Sequence, residues 1–398
     1  MSASRRTQLI QAFVQRYGNE PTRWVRAPGR VDLMGSHTDY NQGFVLTLPI
    51  DRDTWIAARP TASRRVRLVS LNLDKAAEFD LDEPESRGPR APTAGPPPLP
   101  LAPATSFARY VQAVAMVLRG EGLPLTGFDA VVHSTLPLCS GLSSSAALEA
   151  ATAVLLTALG GRTVEPVRLA KLCQRAENEI VGVPCGILDQ YSSLLGRAGT
   201  ALLLDCRNLT HRNTPLAEDV QVVICNTCAP RELSGSEYRQ RREQCEDGAR
   251  RLGVAYLRDL TIEQFARREH ELPPVVARRC RFIIEEHGRV AGMARALTQN
   301  DLAAIGRLTA ASYAGARDLF EIGSPAMDAM MRVMLAAAGA IGARQAGAGF
   351  GGCMVAFVQP RELPSFVAHV RREYAAETGI APEVYPVAAA EGAEVMPG

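Results

Sequence analysis

Residues 137–147, PLCSGLSSSAA, constrain the fold of this chain more than any other segment. A short apolar run with strand character precedes them at 128–133. An Ala- and Leu-rich run at 143–159 follows and reads as a helix closed by Gly160 and Gly161. A strand that turns through a glycine into a helix start leaves unpaired amides at the positive end of the helix dipole, an arrangement suited to an anion. Serines also cap helices routinely. Three consecutive serines behind a Pro-x-x-x-Gly-Leu turn are more than a cap needs, so the segment reads as a phosphate loop.

The basic residues narrow which phosphate loop this is. Of 44 Lys and Arg residues only Lys75 and Lys171 are lysines, and neither lies in a Gly-Lys-Ser/Thr loop or on a kinase-type strand. Instead, Pro137-x-x-x-Gly141-Leu142-Ser143-Ser144-Ser145-Ala146 resembles the second motif of the GHMP small-molecule kinases. Residues 26–48, RAPGRVDLMGSHTDYNQGFVLTL, crowd Arg30, Asp32, Ser36, His37, Asp39 and Asn41 between apolar runs. An Asx-turn at Asp39 or a salt bridge from Arg30 would not need so many hydrogen-bonding groups, whereas a polyol pocket would. This stretch resembles the galactokinase signature G-R-V-N-L-I-G-E-H-T-D-Y-N-x-G. Residues 347–352, GAGFGG, are a weak signal alone, but they resemble the third GHMP motif, with Ala346 where Thr is usual. Residues 173–196, 236–246 and 317–328 also resemble galactokinase stretches.

The resemblance implies an α+β fold of two GHMP kinase domains, a ribosomal-protein-S5-like one over 1–205 and a ferredoxin-like one over 206–398. Periodicity is consistent with an α+β chain. Helices are expected at 5–17, 107–118, 143–159, 165–181, 236–251, 272–297, 300–313, 325–338 and 361–376. Strands are expected at 24–27 (ended by Pro28-Gly29), 44–50, 53–58, 65–71, 128–133, 201–205, 220–225, 352–359 and 383–386. The Pro-dense run 83–105 reads as an exposed loop.

Residue roles follow by match to the family motifs. Asp189 is implied as the base on an anomeric hydroxyl, and Arg30 as the group that stabilises phosphoryl charge; the plainer reading is a structural Asp–Arg pair. Substrate contacts are implied for Ser36, His37, Thr38, Asp39, Gly186 and Tyr238. ATP contacts are implied for Ser70, Cys139, Ser140, Gly141, Leu142, Ser143, Ser144, Ser145 and Gly349, with Phe107 near the base. Mg2+ is implied as cofactor, with ATP as co-substrate, held by Ser145 and Glu177; Glu177 read alone is a helix carboxylate.

Two positions depart from the family. Ser36 stands where Glu is usual, the implied acceptor for the exocyclic hydroxyl, and Asp32 stands where Asn is usual. The expected activity is therefore phosphorylation of D-galactose at the anomeric hydroxyl, with L-arabinose or galacturonate as alternative substrates and a non-catalytic galactose/ATP sensor as a third reading. The net charge of +2 gives no reason to expect nucleic acid or an anionic membrane as partner. Apolar stretches break before the roughly 20 residues of a membrane span, and residues 1–20 lack a signal-peptide apolar region. Nine cysteines scattered through apolar segments read as reduced core thiols, which with the rest implies a cytoplasmic protein.

Overall fold

A computed structural model describes residues 2–82, 107–137, 141–230 and 236–397. The Pro-dense run 83–105, Cys139 and Ser140 lie outside these described residues. In chain order the elements are α1 (Ser2–Tyr17), β1 (Arg23–Met34), β2 (Phe44–Pro60), β3 (Arg65–Ser70), β4 (Lys75–Asp80), α2 (Phe107–Gly120), β5 (Phe128–Ser134), α3 (Ser144–Leu159), α4 (Pro166–Arg175), α5 (Leu188–Leu195), β6 (Thr200–Asp205) and β7 (Thr210–Pro215). There follow β8 (Gln221–Asn226), α6 (Ser236–Arg251), α7 (Ile262–Arg268), α8 (Pro274–Thr298), α9 (Leu302–Ala314), α10 (Pro325–Ala336), β9 (Ala340–Gln345), β10 (Cys353–Val358), α11 (Leu363–Thr378), β11 (Glu383–Val387) and β12 (Glu394–Val395).

The first sheet runs β12-β1-β2-β5-β3-β4, with β6 bridging β2 and β7. Only β3 and β5 pair parallel among its ladders. The segment expected to stop at Pro28-Gly29 continues as one strand, because a bulge between Pro28 and Arg30 absorbs the proline and lets pairing with β2 resume. The two runs expected at 44–50 and 53–58 likewise form the single long β2. Alanine and leucine all round α3 suit a helix buried on every side, and it packs between β1, β2 and the helices α2, α4 and α5.

The second sheet has the order β11-β8-β10-β9, antiparallel throughout. Read as fourth, first, third and second strands, this is the ferredoxin-like arrangement, with α11 crossing from β10 to β11. The expected boundary at 205/206 falls in the turn of the β6–β7 hairpin, and β12 returns to pair with β1 in the first sheet. One apolar cluster spans both units, joining Val31, Leu33, Leu46 and Leu48 to Val222, Ile224, Met293, Val355 and Phe357. The cleft beside it is therefore held from both sides. No helix among the described residues is long and apolar enough to cross a membrane.

Candidate active site

A cavity of about 200 Å³ opens at the junction of the units. Its walls come from β1 (Arg30, Asp32), the following turn (Ser36, His37, Asp39), the 177–189 segment (Glu177, Cys185, Gly186, Asp189), Tyr238 of α6 and the Gly347-Ala348 turn. A second cavity of about 300 Å³, walled by Ser70, Phe107, Tyr110, Val132 and Leu148, reaches Ser144 and Ser145 at the start of α3. Ser70 and Phe107, far apart in sequence, thus meet on the serine-loop cavity.

Asp189 lines the first cavity and is bonded to the serine loop. Arg30 donates to its Oδ1 through Nε at 2.8 Å, with Nη2 at 2.5 Å, and the Ser143 hydroxyl donates to Oδ2 at 2.6 Å. Arg30 Nη1 also donates to the Gly141 carbonyl at 2.7 Å, and the Arg30 amide donates to the Leu142 carbonyl. The serine loop and the Arg–Asp pair are therefore one hydrogen-bonded unit. Ser143 differs from the sequence expectation. It occupies the helix N-cap position in the left-handed region (φ 58°) and gives the helix no side-chain cap, because its hydroxyl is spent on Asp189. The first-turn amides of α3 are left without that serine. Leu142 contributes only its backbone, its side chain being buried in the shared core.

Ser145 lies within hydrogen-bonding reach of Glu177. The α-helix expected over 165–181 ends at Arg175, and a wider π-helical turn, Ala176–Val181, carries Glu177 inward, as such turns often do at functional sites. Gln190 Nε2 donates to Glu177 Oε2 at 2.6 Å and the Cys185 thiol donates to the same oxygen at 3.2 Å. Burial, then the like charge of Asp189, pushes the Glu177 carboxyl up to about 7. A hydroxyl paired with one carboxylate suits Mg2+, which takes few protein oxygens and completes its shell with phosphates and waters. No cluster of three or more His, Cys, Asp or Glu able to hold a metal ion occurs among the described residues.

On the other wall, Asp39 presses against Gly186: a Cβ there would lie 1.7 Å from Asp39 Oδ2. Burial, reinforced by Asp189 and Asp32, pushes the Asp39 carboxyl up to about 6 against the pull of the Tyr40 backbone and Arg30. The Tyr238 ring lies 5.3 Å from that of His37 and 5.7 Å from that of Tyr40. Burial holds its phenol well above the ordinary range, so it remains protonated.

Of the remaining expected contacts, His37 is on the first cavity's wall, while Thr38 and Gly349 are on neither. His37 lines the cavity, but both ring nitrogens are engaged: Nε2 donates to the Ala348 carbonyl and Nδ1 accepts from the Tyr40 hydroxyl, each at 2.9 Å. That pairing fixes the tautomer, and burial lowers its pKa to about 4, so it offers the cavity a ring rather than a free nitrogen. Thr38 is fully buried, its hydroxyl shared between the Gly35 and Phe44 carbonyls, and it is a turn brace. Gly349 lies against Ile322, where a Cβ would come within 2.7 Å of the Ile322 carbonyl oxygen, and it is on neither cavity wall; Gly347 and Ala348 reach the first cavity instead.

Two residues escaped the sequence reading. Arg344, on β9, is completely buried behind Ser36, and Cys185 is on the cavity wall. The Cys185-Gly186 pair of the matched 173–196 stretch was a signal for the second; nothing local marked the first.

The galactose-binding signature of galactokinases matches residues 11–60, and the GHMP kinase N-terminal and C-terminal domains match 109–197 and 293–376. The chain is 40% identical over 390 residues to a galactokinase of Roseiflexus sp. (strain RS-1), covering 97% of this chain and 96% of that one. It superposes on the galactose-bound galactokinase of Lactococcus lactis with a TM-score of 0.89 at 30% identity, covering 98% and 99% of the two chains. It shares its fold with the mevalonate kinase of Methanococcus jannaschii, at a TM-score of 0.66 and 16% identity over 94% of this chain and 99% of that one.

Proposed function

The chain belongs to the galactokinase family of the GHMP kinases, and from that premise we propose that it transfers the γ-phosphoryl group of ATP to the anomeric hydroxyl of D-galactose, forming galactose 1-phosphate and ADP. One observation carries the reading: Asp189, gripped by Arg30 and Ser143, stands where a hexose-sized cavity meets the serine loop.

Phosphoryl transfer needs positioning and charge neutralisation more than covalent chemistry from the protein. Asp189 orients the anomeric hydroxyl toward the phosphate and takes its proton. Arg30 holds that carboxylate in place, and a loose transition state with late proton removal asks little basicity of it. The same guanidinium faces charge developing on the transferred group. The uncapped first turn of α3 and the Ser144 and Ser145 hydroxyls receive the phosphates, and the cavity of Ser70 and Phe107 receives the base. Ser145 and Glu177 would hold Mg2+, which when bound would neutralise charge on the phosphate oxygens. Asp39 accepts from ring hydroxyls, with Gly186 leaving the space it occupies, and Tyr238 closes the wall. The eight cysteines among the described residues are free thiols, which supports a reducing, cytoplasmic setting.

The test is ADP release with Mg-ATP and D-galactose, with the product identified by phosphorus NMR as the 1-phosphate. Sugar-dependent turnover excludes a pure sensor. No sugar-dependent ADP release with D-galactose, L-arabinose or D-galacturonate overturns the proposal.

A further inference from the structure

Serine at 36 removes a carboxylate from the sugar wall, and the structure holds another carboxylate two residues beyond Arg30. Asp32 lines the cavity and is 1% exposed. Its Oδ2 accepts from the Ser36 hydroxyl at 2.6 Å, and its Oδ1 is buried without a hydrogen-bond partner. Buried carboxylate oxygens are ordinarily satisfied, and this one is on a cavity wall.

The groups behind it explain what it can receive. Ser36 Oγ accepts from Arg344 Nη2 at 2.8 Å while donating to Asp32, so its proton is committed and only a lone pair is left for the cavity. All three Arg344 nitrogens are engaged within the protein: Nε with Ser312, Nη1 with the Asp32 carbonyl, and Nη2 with Ser36 and Glu286. At Asp32 and Ser36 the wall therefore presents acceptors and no free donor. A hydroxyl can satisfy it; a carboxylate meets only like-charged and lone-pair oxygens.

Position selects which hydroxyl. Arg30 and Asp32 pair regularly with Pro49 and Thr47, so both point from the same face of β1. Same-face neighbours on a strand lie roughly 6–7 Å apart at Cα, so Asp32 reaches the cavity beside Arg30 but from its own position on the wall. With Arg30 and Asp189 at the anomeric end, Asp32 falls at the other.

We propose that Asp32, oriented by Ser36 and Arg344, accepts the hydrogen bond of the exocyclic hydroxyl and makes the site selective for a hydroxymethyl sugar over its 6-carboxylate or the pentose that lacks that carbon. The inference rests on the proposed galactose reaction and assigns the sugar-end acceptor within it.

The test is a discrimination ratio: kcat/KM with Mg-ATP for D-galactose against 6-deoxy-D-galactose, with the Kd of each sugar measured by calorimetry. The wild-type chain is expected to prefer D-galactose by about 10–150-fold, the range for one hydrogen bond to a charged group. Asp32→Asn is expected to cut that ratio by about tenfold or more. Ser36→Ala, which keeps the carboxylate but frees its orientation, is expected to cut it less, and it provides a second readout should Asp32→Asn fold poorly. A ratio unmoved by either substitution overturns the inference, as does D-galacturonate binding more tightly than D-galactose. A wild-type chain that neither binds nor phosphorylates any of these sugars overturns the proposed reaction, and this assignment with it; binding of both sugars at an unmoved ratio overturns the assignment alone.

Discussion

A methyl group at position 186 would test how the sugar wall is built. A Cβ on Gly186 would lie 1.7 Å from Asp39 Oδ2 and 2.3 Å from its Cγ, while ordinary contacts begin at 3.4 Å. Gly186 has no positive φ, so Gly186→Ala strains no backbone dihedral and the whole conflict is with the carboxylate. Asp39 must retreat by more than 1 Å, which takes it out of hydrogen-bonding range of any hydroxyl it met before. Each hydrogen bond to a charged acceptor is worth about 1.5–3 kcal/mol, so losing one lowers kcat/KM for D-galactose by roughly 10–150-fold. The loss should fall mainly on KM, because Asp189, Arg30 and the serine loop are joined to one another and not to Asp39. The assay is initial rates of ADP release across galactose concentrations at saturating Mg-ATP, with a thermal melt as a folding control. A Gly186→Ala enzyme with unchanged kcat/KM would refute the argument, because Asp39 would then not be a sugar acceptor. A folded variant whose kcat alone collapsed would equally refute it, since the residue would be acting on the chemical step.

Other substitutions probe the remaining parts. Asp189→Asn should lower kcat by about 10²–10⁴-fold, the usual contribution of a positioned proton acceptor, with only a modest change in galactose Kd; near-normal turnover would remove Asp189 from the chemistry. With its carboxyl raised to about 6, Asp39 should give the kcat/KM profile an acid limb near pH 6 in the free enzyme, since protonation removes the acceptor as pH falls; a flat profile from pH 5 to 7 contradicts this. The same shift has the opposite sign for folding. A carboxyl raised above its unfolded value contributes stability that is present below that value and lost as pH rises through the folded one. Asp39→Asn should therefore melt higher than wild type at pH 7 and lose that advantage by pH 4. Arg344→Ala leaves Glu286 and Asp32 buried with one cation fewer, and urea denaturation should show a loss of about 3–5 kcal/mol.

What could be read from the sequence was chemistry carried by contiguous backbone. The serine loop and the α3 run are local: a glycine turn, hydroxyls and helix propensity act within a dozen residues. The elements that escaped are those whose identity is set by partners. The short α5 carries Asp189 but spans only eight residues, too few for a clear period. Polar-rich β7 is a strand because β6 pairs with it along its length, and β9, between Gly339 and the GAGFGG turn, is one because β10 does. Proline in β1 argued for a break, and the long ladder with β2 overrode it through a bulge.

The candidate site residues divide along the same line. Arg30 and Asp189 are 159 positions apart, and a family motif was needed to bring them together; their hydrogen bond with Ser143 is a property of the folded cleft. His37 lines the cavity with its ring nitrogens engaged by Tyr40, three residues away, and Ala348, 311 residues away, which no local pattern could show. Ser36 is the sharpest case. Taken alone, a serine in place of a carboxylate predicts a weakened grip on the sugar. Seen with Asp32 four residues earlier and Arg344 from the other unit, the same serine is a bridge between a carboxylate and a buried guanidinium. Burial pushes Asp32 above the ordinary carboxylate range, while Arg344, Ser36 and Arg30 pull it back toward the charged form. Two departures that are separately unfavourable become compatible once one arginine holds both, and single positions in a sequence cannot show such a coupling.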